Sequence, residues 1–187
     1  MPRRTHRSLV LLALLGLLGL LLSPPATAAL ASKSRWEADV DTAMSGSHRY
    51  VDNRVARGGS KLAVNFDIDN TTLASYYAPG QPVARVLRFA KYARSRGVRL
   101  LFNTARPAGD GRLLRARRSL EKVGYQVAGI CGRKEGETLA HGKQRCRRYF
   151  VSQGYTLIAN VGNRDTDFVG GDYERAFRLP NYNNQLS

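Results

Sequence analysis

Residues 62–73 read LAVNFDIDNTTL, and this stretch decides the fold of the chain. Its apolar first half follows Gly-Gly-Ser and precedes turn-forming residues, which predicts a buried β-strand. Asp67 and Asp69 come directly after that strand. Loops at the carboxyl ends of strands build the site in an open α/β sheet, so both carboxylates can face one pocket. One can then attack an electrophile while the other moves protons, and together they can hold a divalent cation.

A structural role fits the same residues, because Asp69 or Asn70 can simply cap a turn or a helix. A calcium-binding loop does not fit. The glycine expected at its sixth position is Thr72, and the glutamate expected at its twelfth is Ala78. The aspartates therefore need support from other strands before they indicate chemistry.

Further strands are predicted at residues 98–102 and 155–161, and short ones near 126–131 and 176–179. The first strand and those at 98–102 and 155–161 each end in a polar cluster, DIDNTT, NTARP and GNRDTD. Helical patterns are predicted before and between them, at 35–56 as one helix or a helix pair, and at 83–96, about 110–123 and 143–152. This alternation predicts an α/β fold, a Rossmann-like parallel sheet with helices on both faces. The loop at residues 73–82 lies beside the two aspartates and is short, so any cap that it forms over them is minimal. Parallel connections bring all three polar clusters to one edge of the sheet.

The residues of these clusters suit a phosphoryl group and a cation. The Thr104 hydroxyl and neighbouring backbone N–H groups can bind one phosphoryl oxygen, and Arg106 can clamp another. Lys143, at the predicted start of a helix, can neutralise remaining charge. Asn163 and Asp167 can complete a cation shell.

The order of these motifs resembles the haloacid dehalogenase (HAD) superfamily: DxDxT, a strand-end threonine, a lysine and an acidic loop. More narrowly, the chain is similar to the secreted class B and plant-type acid phosphatases, whose chains often finish in a strand and Leu-Pro-Asn, as at residues 179–181 here. The likeness extends over approximately residues 36–181. DIDNTT is its most specific part, whereas a lone threonine and a lone lysine are weak signals.

The resemblance implies a role for each matching residue. Asp67 would be the nucleophile that forms an aspartyl-phosphate, and Asp69 would protonate the leaving alcohol and then activate water. Thr104 would hold the phosphoryl group, and Lys143 would offset its charge, with Lys134 as the alternative lysine. Arg106 would correspond to an arginine of the class B relatives.

The resemblance also implies a metal site. Mg²⁺ would lie between the Asp67 carboxylate, the Asp69 backbone carbonyl and the loop carrying Asn163 and Asp167. Oxygen ligands of this kind favour Mg²⁺ over zinc. Asn163 departs from the family, which usually has Asp at this position, so the site loses a charge and should bind Mg²⁺ more weakly. Either Asp165 or Asp167 compensates, or the chain is a degenerate member.

Two functions follow as expectations. The first is a secreted, Mg²⁺-dependent phosphomonoesterase acting on a small-molecule phosphomonoester. The alternative is a non-catalytic cationic binding protein on a degenerate scaffold, holding acidic polymers or phosphorylated ligands. Asn163 and the basic charge favour the alternative, whereas the complete set of aspartates, threonine and lysine favours the enzyme. The identity of the ester and the oligomeric state are not readable from the sequence.

The amino terminus predicts export. Basic residues precede an apolar run at 9–22 that is too short to span a bilayer comfortably, and small residues follow. We expect residues 1–31 to be a signal peptide, cleaved near Ala28 or Ala31, and residues 32–187 to form one extracellular domain without membrane attachment. An uncleaved anchor is the alternative, and the export route, Sec or Tat, stays open.

Charge and cysteines complete the expectations. The formal charge is +16, and +13 after the predicted cleavage removes three arginines, since residues 1–31 contain no acid. This excess favours anionic partners, but no nucleic-acid-binding motif is visible and no specific nucleic acid is expected. Arginine clusters at 112–118 and 145–148 are interpreted as solvated helix faces. Cys131 and Cys146 are expected to form a disulfide, because oxidation is permitted outside the cytoplasm.

Overall fold

The computed structural model describes residues 29–109 and 111–186. The predicted signal peptide lies outside these residues except for 29–31. The described helices are α1 (Lys33–Ala43), α2 (Ser47–Ala56), α3 (Ala84–Ser95), α4 (Arg112–Lys122) and α5 (Leu139–Ser152). The strands are β1 (Leu62–Phe66), β2 (Arg99–Pro107), β3 (Gly129–Arg133), β4 (Thr156–Gly162) and β5 (Arg175–Arg178), with a short 3-10 turn at Asp165–Asp167.

The strands form one parallel sheet in the order β3-β2-β1-β4-β5. Phe66, the last residue of β1, is in register with Phe102 of β2 and Val161 of β4. The polar sequences that follow these residues therefore lie at one edge of the sheet. The predicted α/β fold and the predicted convergence of the three polar clusters are confirmed.

Side chains alternate between the two faces of the sheet, and helices cover both. On one face Phe66 lies 5.6 Å from Phe102 and 6.1 Å from Phe89 of α3, measured between ring centroids. On the opposite face Leu101 packs with Phe150 of α5 in a separate buried cluster. This arrangement is the one that the alternation of strands and helices predicts.

The expected disulfide between Cys131 and Cys146 is present and links β3 to α5, with the Cα atoms 5.6 Å apart. Both cysteines are buried. The disulfide thus lies inside the protein, beneath the helix that carries Lys143.

Two boundaries differ from the predictions. β2 continues to Pro107, so the cluster at 103–107 belongs to the strand, because it pairs onward with β3 as far as Arg133. Helix α5 begins at Leu139 and not near Lys143, because the Thr138 side chain accepts the His141 N–H (3.3 Å) and caps it. Lys143 consequently lies in the second turn of α5.

The connection from β1 to α3 carries the short cap segment, residues 73–82. The Ala74 N–H donates to the Gln81 carbonyl (2.9 Å), which closes this segment into a small loop. Within it Tyr77 stacks against Trp36 of α1 with ring centroids 4.8 Å apart, whereas Tyr76 is exposed. Within residues 29–109 and 111–186, no helix is long and apolar enough to cross a membrane.

Candidate active site

The turn after β1 is shaped by its own sequence. The N–H groups of Thr72 and Leu73 both donate to the Ile68 carbonyl, at 3.0 and 2.9 Å. The Thr72 hydroxyl donates to the Asp67 carbonyl at 3.1 Å. Asn70 adopts a left-handed conformation (φ 54°), which asparagine tolerates better than most residues. The polar residues of DIDNTT thus fold the chain so that Asp67 and Asp69 both line one pocket.

Lys143 lies between two buried carboxylates. Its ammonium group donates to Asp67 Oδ1 and lies 2.7 Å from Asp167 Oδ1. All three residues are buried, whereas the alternative lysine, Lys134, is exposed. The structure therefore brings Lys143, and not Lys134, to the end of β1.

Burial and charge set the protonation of this cluster. Burial raises the pKa of Asp67 to about 6, against the attraction of the Lys143 ammonium group. Burial alone would lower the pKa of Lys143, but the charges of Asp67 and Asp167 outweigh it and raise that pKa. Lys143 therefore stays cationic at neutral pH, and Asp67 is anionic above a pH of about 6.

Asp69 has a different environment. Arg106 donates to both of its carboxylate oxygens, at 3.0 and 2.6 Å, and the Ser75 hydroxyl donates at 2.7 Å. Burial opposes ionisation, but the hydrogen bonds from Arg106 and Ser75 outweigh it and lower the pKa of Asp69. The Asp69 side chain is 40% exposed, so it borders the open part of the site. Thr104 is buried, and its hydroxyl accepts the Arg106 N–H at 3.2 Å.

Oxygen atoms that suit a hard cation converge beside Asp67. The Thr71 hydroxyl lies 3.0 Å from Asp67 Oδ2 and 3.4 Å from Asn163 Oδ1, so these two oxygens share one neighbour. Both carboxylate oxygens of Asp167 are engaged, Oδ1 by Lys143 and Oδ2 by the Arg164 N–H at 2.9 Å. The part of the chain that the structure describes contains no cluster of three His, Cys, Asp or Glu residues suited to a metal. Carboxylate and amide oxygens nevertheless fit Mg²⁺ chemically, with little negative charge to hold it.

Arg147 is a site residue that the sequence analysis missed. Its prediction as part of a solvated helix face is wrong, because the residue is completely buried. Its guanidinium group donates to the carbonyls of Asp167 (2.6 Å), Gly171 (2.7 Å) and Val169. The available signal was spacing, since Arg147 follows Lys143 by one helical turn and so shares its face.

The loop after β4 is also fixed by Asn160 and Gly162. The Asn160 amide donates to the Asp167 carbonyl at 2.9 Å and accepts from the Asn65 amide at 2.5 Å. A Cβ atom on Gly162 would lie 2.4 Å from Asp167 Oδ2, so only glycine leaves room for that carboxylate. Buried amides and a glycine, rather than the acidic residues alone, place Asp167.

These groups enclose a pocket of about 180 Å³. Its polar lining comes from Asp67, Asp69, Lys143 and neighbouring residues of the Asn163 loop, and its apolar lining from Ala105, Leu139 and Leu186. The Lys143 cation and the buried Asp67 carboxylate thus meet at one small pocket. Asp69 lines it too, whereas Arg106 and Thr104, both in β2, do not. Such a site can bind an anionic group while a carboxylate attacks it.

The comparisons with known proteins identify the class. A family model described as HAD superfamily, subfamily IIIB (Acid phosphatase) matches residues 77–185, more than half of the chain. The chain therefore belongs to the subfamily IIIB acid phosphatases of the HAD superfamily. It is a phosphatase, an enzyme that hydrolyses phosphomonoesters, and the alternative of a non-catalytic binding protein is not favoured. The match begins after Asp67 and Asp69 and includes Thr104, Lys143 and Asn163.

A solved structure supports the fold. The class C acid phosphatase from Bacillus anthracis superposes with a TM-score of 0.65 and 18% identity, over 80% of this chain and 79% of that one. A short-chain dehydrogenase/reductase variant from Serratia marcescens reaches a TM-score of only 0.31 at 21% identity, over 56% of this chain and 35% of that one, and carries no argument. No curated protein is similar enough in sequence to count as a match. The resemblance to HAD acid phosphatases is confirmed.

Proposed function

We propose that this phosphatase is a secreted, Mg²⁺-dependent phosphomonoesterase that transfers the phosphoryl group of a small-molecule ester to Asp67. One observation carries the proposal: the buried Asp67 carboxylate, paired with the Lys143 ammonium group, lines the same pocket as Asp69. A carboxylate needs cationic partners to approach a phosphate dianion, since the two repel each other. Lys143 lines this pocket, and Arg106 lies next to it through its pair with Asp69, so both can supply positive charge.

In the first step an Asp67 carboxylate oxygen attacks phosphorus, and the bond from phosphorus to the ester oxygen breaks. Asp69, when protonated, donates its proton to the departing alkoxide. The pKa of Asp69 is lowered in the free protein by Arg106 and Ser75, against the effect of burial. Transfer of Arg106 from Asp69 to the phosphoryl oxygens would weaken that effect at the moment when the proton is needed.

In the second step water attacks the aspartyl-phosphate and Asp69, now ionised, accepts its proton. The phosphorus–oxygen bond to Asp67 breaks and inorganic phosphate leaves. Thr104 would hold a phosphoryl oxygen, and Lys143 would offset the charge that accumulates on the others. Lys143 is suited to this because its position between Asp67 and Asp167 keeps it charged while buried.

Phosphatases of this superfamily generally use a divalent metal ion. We assign the ligands of Mg²⁺ to the Asp67 carboxylate, the Asp69 backbone carbonyl and Asn163. Asp167 would join them through solvent or after Lys143 has moved to the substrate. When bound, the ion neutralises charge on the phosphoryl oxygens and so favours nucleophilic attack. Asn163 contributes an amide oxygen where a carboxylate would attract the ion more strongly.

The proposal includes export. Residues 1–31 would be removed as a signal peptide, and residues 32–187 would act outside the cytoplasm. The buried Cys131–Cys146 disulfide supports this, since such bonds persist in oxidising compartments.

The proposal is tested by hydrolysis of 4-nitrophenyl phosphate. Removal of divalent metal ions with a chelator should abolish turnover of this ester by the enzyme, and added Mg²⁺ should restore it. Asp67→Asn should lower kcat at least about a thousandfold, because the amide cannot act as the nucleophile. Asp41→Asn is the matched control, since its side chain is 59% exposed and it lies in α1. Equal activity in Asp67→Asn and Asp41→Asn would refute the proposal.

A further inference from the structure

Leu186 contributes an apolar wall to the pocket of Asp67. Its side chain is 1% exposed, although it belongs to an irregular segment after β5. It lines the pocket together with Ala105 and Leu139. Neither catalysis nor metal binding, as proposed above, uses this residue.

Two amides of the site hold the Leu186 backbone in place. The Asn70 side chain donates to the Leu186 carbonyl at 2.9 Å, and the Asn163 side chain donates to the same oxygen at 3.4 Å. Asn70 also accepts the Tyr76 N–H at 2.8 Å, so it joins the DIDNTT turn to the short cap segment. The anchors of Leu186 are therefore residues of the site itself.

The backbone of the segment is bent to reach this position. Tyr182, Asn183 and Asn184 are successive left-handed residues, with φ of 46°, 55° and 66°. Non-glycine residues seldom adopt this conformation, and three in sequence persist only when other contacts stabilise them. The buried Leu186 side chain and its two amide anchors supply such contacts.

We propose that residues 181–186, here called the Leu186 wall, determine substrate specificity: Leu186 limits the size of the alcohol part of the phosphate ester. This inference rests on the proposed function of Asp67. The pocket of about 180 Å³ is small beside the roughly 300–1,000 Å³ of sites for drug-sized ligands. It accommodates a phosphoryl group and a small organic group, and Leu186 occupies the space that a bicyclic aromatic group would need.

The Leu186 wall also explains why an amide, and not a carboxylate, stands at position 163. An amide can donate its N–H to the Leu186 carbonyl while its oxygen faces Thr71 and Asp67. An ionised aspartate has no hydrogen to donate and would repel that carbonyl. Compared with an aspartate, Asn163 therefore lacks a negative charge at the proposed metal site, but it forms a hydrogen bond that holds the Leu186 wall in place.

The experiment compares kcat/KM for 1-naphthyl phosphate and for glycerol 2-phosphate. Leu186→Ala should raise the ratio of the large to the small ester about tenfold, the scale of discrimination by a few methylene groups. Leu186→Val should raise it less, and Leu186→Phe should lower it. The matched control is Leu114→Ala, an exposed leucine of α4, for which the ratio should not change. Comparing this ratio in each variant with that of the wild-type protein removes the intrinsic difference between the two leaving groups.

A second measurement does not depend on turnover. In the Asp67→Asn background, Leu186→Ala should strengthen calorimetric binding of 1-naphthyl phosphate relative to glycerol 2-phosphate. Asn163→Asp should accelerate hydrogen exchange of the backbone amides in residues 181–186. An unchanged ester ratio in Leu186→Ala, in both kinetics and binding, would overturn the inference and leave the proposed function intact. Absence of hydrolysis by the wild-type protein would refute the proposed function, while the binding ratio would still decide the role of the wall.

Discussion

Among the single residues of the site, Asn163 has a large expected effect on metal binding, because its side chain is uncharged. Its amide oxygen lies 3.4 Å from the Thr71 hydroxyl, which in turn lies 3.0 Å from Asp67 Oδ2. A carboxylate there would place a second negative charge beside Asp67. The protein has instead an uncharged group, whose oxygen is able to ligate a metal ion and whose nitrogen donates to the Leu186 carbonyl. Weak metal binding is the expected consequence.

Asn163→Asp should therefore tighten Mg²⁺ binding. Attraction between a carboxylate and a divalent ion a few ångströms away is worth several kcal/mol at an effective dielectric near 20, before desolvation is subtracted. We expect the Mg²⁺ dissociation constant to fall about tenfold or more, as measured by calorimetry, with kcat rising only where metal occupancy was limiting. Equal Mg²⁺ affinity in the variant and the wild-type protein would show that Asn163 does not approach the ion.

Helix α5 organises the site by burying two cations on one face. Lys143 contacts Asp67 and Asp167 through their side chains, and Arg147, one turn later, holds the Asp167 carbonyl at 2.6 Å. The helix thus fixes both the side chain and the backbone of the same aspartate. A basic helix that looks like a solvated surface in sequence is, on this face, part of the interior.

Arg147→Met should destabilise the protein, because methionine fills the space of the side-chain stem but removes the Arg147 donor from three carbonyls. The Asp167 carbonyl keeps the Asn160 amide as a donor, whereas the carbonyls of Val169 and Gly171 lose theirs. At about 1 kcal/mol or more for each unsatisfied group, we expect a loss of about 2 kcal/mol or more in unfolding free energy, measured with urea. Activity should fall as well, since Asp167 loses its position. Arg148→Met is the control: its side chain is 65% exposed, and its 3.4 Å pair with Asp172 should contribute little. Equal losses in the two variants would contradict this account.

The loop before α5 should give the protein an acid-sensitive component of stability. Hydrogen bonds from Arg145 lower the pKa of Glu137 from 4.5 to about 2, against burial and with help from the Lys134 N–H. A lowered pKa means that the contribution is present above about 4.5 and is lost as the pH falls towards 2. The melting temperature of Glu137→Gln should therefore decrease less steeply over this range than that of the wild-type protein. Glu135→Gln, an exposed neighbour, should keep the wild-type slope, and parallel slopes for all three would exclude the effect.

For the molecule as a whole, the fold could be predicted from the sequence, because the patterns that indicate strands and helices are local and recur along the chain. Apolar strands alternate with amphipathic helices, and parallel connections leave little freedom in where the strand ends lie. The same logic predicts that Asp67, Asp69, Thr104 and Lys143 lie at one edge of the sheet. Their catalytic roles remain predictions.

The features that sequence patterns did not reveal depend on long-range contacts. Burial of Arg147 requires carbonyls of a loop some twenty residues later, and the Arg106–Asp69 pair joins β2 to the turn after β1. Leu186 reaches the pocket only through a run of left-handed residues, which no apolar periodicity marks. The start of α5 was misplaced because Thr138, as an N-cap, is a weak signal in a polar stretch.

Phosphoryl transfer to Asp67 is the central claim, and Asp69→Asn tests it most directly. With 4-nitrophenyl phosphate the leaving group needs no proton, so the first step should proceed, whereas hydrolysis of the aspartyl-phosphate lacks its base. Rapid-quench measurement should then show a burst of 4-nitrophenol stoichiometric with enzyme, and mass spectrometry should find a phosphoryl group on Asp67. Release of 4-nitrophenol without a burst, or a phosphoryl group on any residue other than Asp67, would contradict the account.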